Sequence, residues 1–263
     1  MAIDVSQLSD LLYTRSENDT VPLPSGKVAN VREMTGHEQR NFMNRAKLTN
    51  GTAIQELLAA CTLSMDGVDL PTDEKERSKY VLDLLSADRR ALMFGIRRHS
   101  LGDEFMFTTQ CPQCKSKETW EVNLSDKDAF PVTPCPNGDT RQHVYESKIR
   151  TGLTIQFNLM DGNAEMTILR KGEAMDILTD LEMRRPKALA SVTNTKDGTT
   201  SDQWVPIQLA KVSDSLIAEL RRVIREQEGD IRTKVKVICK KCESEVEFDL
   251  LQVPDFMTPS VIS

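Results

Sequence analysis

The chain has 263 residues, 39% hydrophobic and 28% charged, a composition that suits a globular protein with a real core and excludes a disordered chain or a fibre. A formal net charge of -6 and a pI near 5.3 argue against a whole-molecule grip on nucleic acid or anionic lipid and leave room only for a local basic patch. No apolar run approaches the roughly 18–20 residues that span a bilayer, and the first residues lack the basic and apolar regions of a secretory signal, so a reducing cytosol is the expected compartment.

Residues 1–20 read as a polar arm. The apolar alternation on either side of Ser25-Gly26 predicts a hairpin over 21–31. Thr35 with Glu38 three residues on is a capping box that starts a helix. Further helices are predicted at 51–64, closed by Asp66-Gly67, at 72–85 and at 87–99, which makes the N-terminal part mostly helical. The period then changes to two. Residues 104–110 and 119–124 alternate as strands around Cys111 and Cys114, and 126–142 reads as a Pro- and Asp-rich linker. A hairpin turning at Thr151-Gly152 covers 143–160, a helix covers 172–184, and a polar loop, 194–202, joins two strands. A helix capped by Ser213 runs to about Glu228, followed by strand, Cys239 and Cys242, and strand again.

The expected fold class is therefore α+β, with a helical N-terminal part, a zinc ribbon of two CxxC hairpins and a mixed middle region holding a small β-sheet. The divisions are an arm at 1–20, a hairpin plus helical region at 21–103, and the first ribbon half at 104–125. They continue with an inserted α+β region at 126–211, a helix plus the second ribbon half at 212–253, and a tail at 254–263.

The two cysteine pairs sit in an internal repeat. Leu85-Ser86-Ala87-Asp88 through Gly102-Asp103 to Cys111 and Cys114 resembles Val212-Ser213-Asp214-Ser215 through Gly229-Asp230 to Cys239 and Cys242. The offset is 127 along the helix and 128 at the cysteines, and Trp120 and Phe248 also fall in register. Each unit is helix, Gly-Asp turn, strand, CxxC, strand, and supplies two ligands; two units facing each other supply four. A structural zinc site needs four thiolates or imidazoles in a tetrahedron, and a CxxC turn points both sulfurs at one ion. Cys111, Cys114, Cys239 and Cys242 are thus the expected ligands of one structural zinc per chain. A disulfide or redox pair, or four core cysteines, are the alternatives. The polar surroundings of both pairs speak against the last. Four thiolates leave no open coordination position, so the metal would clasp and not catalyse. Cys61 falls on an apolar helix face and reads as core, and Cys135 as a surface loop thiol.

Catalytic motifs are missing. His37, His99 and His143 stand apart from one another, with no HExxH. Ser25-Gly26-Lys27 fails as a phosphate loop because Val21 and Val28 replace residues that motif requires, and neither GxSxG nor GxGxxG occurs. The basic run Arg232, Lys234, Lys236, Lys240 and Lys241 reads as a solvated strand face, with nucleic acid or an acidic partner as the other readings.

Three stretches resemble the baseplate hub family of T-even-type contractile phages. They are Leu23-Pro24-Ser25-Gly26 into Val31-Arg32-Glu33-Met34-Thr35-Gly36-His37-Glu38, Asp88-Arg89-Arg90-Ala91-Leu92 through to Cys111-Pro112-Gln113-Cys114, and Gly229-Asp230 through Cys239-Lys240-Lys241-Cys242 to Phe248. The resemblance implies a non-enzymatic structural or assembly protein, present in the host cytoplasm during assembly or in the virion's baseplate. It implies other baseplate and tail hub proteins as partners, in a symmetric assembly, with no membrane. The alternative function is a zinc-ribbon nucleic-acid-binding or regulatory protein.

Overall fold

The computed structural model describes residues 18–171, 176–193, 199–253 and 256–258. Strands β1 (Asp19–Pro22) and β2 (Val28–Val31) form the expected hairpin, paired from Asp19↔Val31 to Pro22↔Val28. Gly26 takes the left-handed conformation at its turn, with φ of 87°. The buried Asp88 carboxylate holds this turn by accepting the Ser25 amide at 2.9 Å. Helix α1 (Gly36–Phe42) begins at the capping box that Thr35 and Glu38 predict. Short α2 (Arg45–Thr49), capped by Asn44, leads to α3 (Thr52–Cys61).

Here the structure departs from the helical expectation. The segment predicted to end α3 is instead β3 (Thr62–Met65), followed by β4 (Val68–Asp69). Asp66 and Gly67 do not close a helix. Both have positive φ, 50° and 78°, and make the two-residue turn of a hairpin. The N-terminal part is consequently not mainly helical: a four-stranded antiparallel sheet in the order β1-β2-β3-β4 runs through it, with helices α4 (Glu74–Leu82) and α5 (Ser86–Leu101) following. Gly95 on α5 lets that helix lie against β1, since a Cβ there would overlap the Val21 side chain.

Strands β5 (Glu104–Gln110) and β6 (Lys117–Asn123) form a two-stranded hairpin. Residues 126–142 are not a free linker. β7 (Val132–Thr133) pairs with β12 (Asp230–Ile231), and the Cys135 amide donates to the Pro24 carbonyl at 2.7 Å. A second four-stranded sheet, in the order β11-β10-β9-β8, is built from β8 (Gln142–Glu146), β9 (Thr154–Asn158), β10 (Lys187–Thr193) and β11 (Thr200–Pro206). Helices α6 (Gly162–Lys171) and α7 (Ile177–Met183) lie between β9 and β10. The first is absent from the sequence reading, and the second begins after the undescribed residues 172–175. Helix α8 (Asp214–Gln227) leads through β12 into the hairpin of β13 (Lys234–Ile238) and β14 (Glu245–Asp249). Residues 1–17 of the expected arm and most of the polar loop and tail lie outside the described residues, and the arm's last two residues, Asp19 and Thr20, belong to β1.

Two apolar cores result among the described residues. The larger joins β1, β2, α3 and α5 to both CxxC hairpins through Phe105, Phe107, Trp120, Val235 and Val246, and reaches Phe256. The smaller packs Ile155, Phe157 and Leu159 against Leu181, Leu220 and Ile224. Arg97 is fully buried between the Phe105 and Phe256 rings, 5.0 and 5.7 Å from their centroids. It donates to the carbonyls of Phe256 and Gly102, and burial pushes its pKa down to about 10.

Candidate metal centre

Both hairpins place a CxxC turn at the tip, and the two turns are built alike. In the first, the Cys111 amide donates to the Ser116 carbonyl at 2.8 Å and the Lys115 amide to the Cys111 carbonyl at 2.9 Å. In the second, Cys239 donates to Ser244 at 3.0 Å and Glu243 to Cys239 at 2.9 Å. Lys115 and Glu243 both turn left-handed, with φ of 61° and 57°. A non-glycine residue takes that conformation at a cost of about 1 kcal/mol, so its occurrence at matching positions marks one knuckle geometry used twice.

The four sulfurs converge, all within 4.8 Å of one another. Cys111 Sγ lies 3.9 Å from Cys242 Sγ, and Cys114 Sγ lies 3.7 Å from Cys239 Sγ. Tetrahedral thiolates at Zn–S of about 2.3 Å stand about 3.8 Å apart, so the donor set fits zinc in number, type and spacing. All six cysteines are free thiols. Cys111 and Cys239 are fully buried, while Cys114 and Cys242 are half-buried at the rim.

The environment treats these thiols unequally. The hydroxyl and amide of Ser116 draw Cys114 down to about 6, and the hydroxyl and amide of Ser244 lower Cys242 in the same way. Burial pushes Cys239 up to about 12. A bound cation would relieve this crowding, since a metal-bound thiol is deprotonated outright.

Glu118 breaks the symmetry of the pair. From β6 it reaches across to the second knuckle, accepting the Lys240 amide at 2.9 Å and the Lys241 amide at 3.1 Å, with an oxygen 3.2 Å from Cys239 Sγ. Its repeat counterpart is Val246, which makes no such contact possible. The Lys240 amide therefore goes to a carboxylate, and the Lys241 amide is shared between that carboxylate and the Cys239 sulfur, whereas the spacing suggests thiolate as their acceptor. Nothing in the CxxC pattern points to Glu118; the only available signal is an acidic residue four positions after a knuckle cysteine. Beneath the sulfurs, Trp120 and Phe248 meet at 4.9 Å between centroids, with Phe107 at 5.5 Å from Phe248. The repeat register that pairs Trp120 with Phe248 thus corresponds to direct contact across the two units. Arg90 of α5 adds a salt bridge at 2.7 Å to Asp230, in the turn of the other unit.

The remaining candidates do not join this site. Cys61 is buried in the larger core, as its helix face suggests. Cys135 is buried as well, contrary to the surface-loop expectation. Its sulfur accepts the Gly229 amide at 3.1 Å, because β7 and β12 draw the segment inward. His37, in α1, bonds Asn41, and His143, in β8, bonds the Thr140 carbonyl. Among the described residues, the four-cysteine group is the one cluster of three or more potential metal ligands. No helix among them is long and apolar enough to cross a membrane.

The architecture is thus an α+β protein with several small antiparallel sheets and a closed four-thiol candidate metal centre. The chain belongs to the T4 bacteriophage base plate protein family, whose profile matches residues 16–258. That is a family of baseplate structural proteins, generally non-enzymatic, and membership implies other baseplate proteins as partners. No curated protein and no solved structure matches the chain.

Proposed function

We propose that this chain is a non-enzymatic structural or assembly protein of the baseplate hub of a contractile tail, clasped by one structural zinc on Cys111, Cys114, Cys239 and Cys242. The observation that carries the reading is a four-sulfur cluster of zinc-like spacing inside a family match that spans nearly the whole chain. The hub assignment is finer than the family and rests on the resemblance of the Leu23–Gly26 and Met34–Glu38 segments. Its partners are other hub proteins, met in the host cytoplasm during assembly, in a symmetric complex.

The nucleic-acid alternative loses its main support at β13. Lys236 pairs with Glu245 at 2.8 Å and Lys234 with Glu247 at 3.8 Å, so acidic side chains on β14 offset the basic face. Such neutralised lysines release few counterions on binding a phosphate backbone.

Metal analysis of the purified chain, combined with a pull-down from particle-producing cells, tests the proposal. One zinc per chain and co-purified hub proteins are expected. A chain without metal that captures no tail protein, and is missing from both particles and assembly intermediates, would overturn it.

A further inference from the structure

The hairpin of β10 and β11 stands away from the rest of the molecule. Only Lys187 and Ala188 of β10 pair with β9, whereas β10 and β11 pair along all of Lys187–Thr193. No described residue of 187–206 belongs to either apolar core. Every residue of β11 is exposed, including Trp204 and Val205, and β11 is the outer strand of its sheet.

The ladder fixes which backbone groups face outward. The Ile207 amide donates to the Pro186 carbonyl at 3.0 Å, which makes 207/186 a hydrogen-bonded pair. Antiparallel pairs alternate, so Val205, Gln203 and Ser201 turn their N–H and C=O groups to β10. Thr200, Asp202, Trp204 and Pro206 turn theirs to the open edge. The side-chain bonds Ser191–Asp202 at 2.6 Å and Thr193–Thr200 at 3.0 Å agree, because non-hydrogen-bonded pairs bring side chains closest.

Proteins usually blunt such an edge with charge, bulges or cover. The strands of the CxxC hairpins carry Lys117, Glu118, Glu121, Lys234, Lys236, Glu245 and Glu247, and β4 is two residues long. The open edge of β11 has one charge, Asp202, and a proline only at its end.

We infer that the β11 edge binds β11 of a second copy of this chain, antiparallel, about a twofold axis through Gln203. Two registers give every outward N–H a carbonyl. Centring on Asp202 would set one carboxylate against its own copy, which is unfavourable. Centring on Gln203 sets Asp202 against Trp204 and Thr200 against Pro206. Every outward N–H then has a carbonyl, and the donor that Pro206 lacks falls at the end of the ladder, where least is lost. The two Trp204 rings become diagonal neighbours on one face, within aromatic reach. The contact is isologous, as a closed dimer requires. A second copy is favoured over a foreign strand because this one register pairs all outward donors and separates the only charges.

Sedimentation of the full chain across a dilution series, with tryptophan fluorescence followed in parallel, tests this. Trp204 is one of only two tryptophans and the other, Trp120, is buried. A species of twice the 29.6 kDa chain mass is expected, with a Trp204 shift on dissociation. Asp202→Pro removes an outward N–H and leaves the backbone bonds to β10 in place, losing only the exposed Ser191–Asp202 side-chain bond, so it should abolish the dimer while the monomer keeps its fold by circular dichroism. Gln203→Cys should cross-link on oxidation, because residue 203 would face its own copy in a close non-hydrogen-bonded pair. A wild type that stays monomeric with no Gln203→Cys cross-link would overturn the inference. So would a dimer indifferent to Asp202→Pro, cross-linking as fast from Ser201→Cys, or β11 amides protected only when another baseplate protein is added.

Discussion

Cys239 and Glu38 show how single side chains carry this fold. Cys239 is fully buried and, as a thiol, strongly disfavours ionisation. In the zinc reading Cys239→Ser removes one of four ligands. Metal content should fall from one ion per chain to none, and the melting temperature should drop by at least several degrees. A variant that lost metal and kept its melting temperature would show that the clasp is not structural. Glu118→Ala should act more mildly, since it frees the Lys240 and Lys241 amides and leaves every sulfur in place. A small loss of stability in denaturant unfolding is expected, with metal retained. At the other end of the chain, burial opposes the charge on Glu38, but Arg32 at 2.7 Å and the Thr35 hydroxyl and amide outweigh it and hold the carboxyl at about 2. A depressed carboxylate stabilises the fold above its unfolded value, near 4.5, and that stability is lost as pH falls toward 2. Acid titration of the wild type should show a decline of up to roughly 3 kcal/mol in that window. Glu38→Gln should flatten it; an unchanged acid limb would refute the assignment.

At the scale of elements, the legible parts were those with their own local chemistry. The Thr35 capping box, the Ser25-Gly26 turn, the Thr151-Gly152 hairpin and the two CxxC turns each make their defining turn or cap bonds within a few residues, and each forms where the pattern places it. The errors arose where one local signal serves two structures. Asp66-Gly67 can stop a helix or turn a hairpin, and the neighbouring sheet decided for the hairpin by giving β3 a partner in β2. Likewise β7 is two residues long and exists only because β12, about a hundred residues later, pairs with it. Packing between elements is the other part that the pattern does not reveal. Gly95→Ala should destabilise the contact of α5 with β1, and Val21→Ala should restore part of the loss, because the two side chains compete for one space. Additive losses in that double-mutant cycle would disprove the competition. Trp120→Ala should cost about 3–5 kcal/mol, as for other buried aromatics, measurable by denaturant unfolding.

For the molecule as a whole, the repeat was readable as spacing but its packing was not. The sequence places two knuckles 128 residues apart; only the structure shows the larger apolar core running beneath both of them. That core makes the site more than a staple between otherwise separate halves. Removing metal with a chelator should therefore lower the melting temperature while leaving the far-ultraviolet signature of the helices largely in place. Complete unfolding on chelation would show that the core beneath the sulfurs cannot stand alone.

The separation of the knuckles also gives the site a history within each molecule. Cys111 and Cys114 leave the ribosome with half a coordination shell, and their partners follow 128 residues later, an interval on the order of ten seconds at ordinary elongation rates. Through that interval the nascent chain carries two thiols without their partners. If the site takes a metal that needs all four sulfurs, capture would report that synthesis has passed Cys242, and a chain ended before that point would lack the clasp.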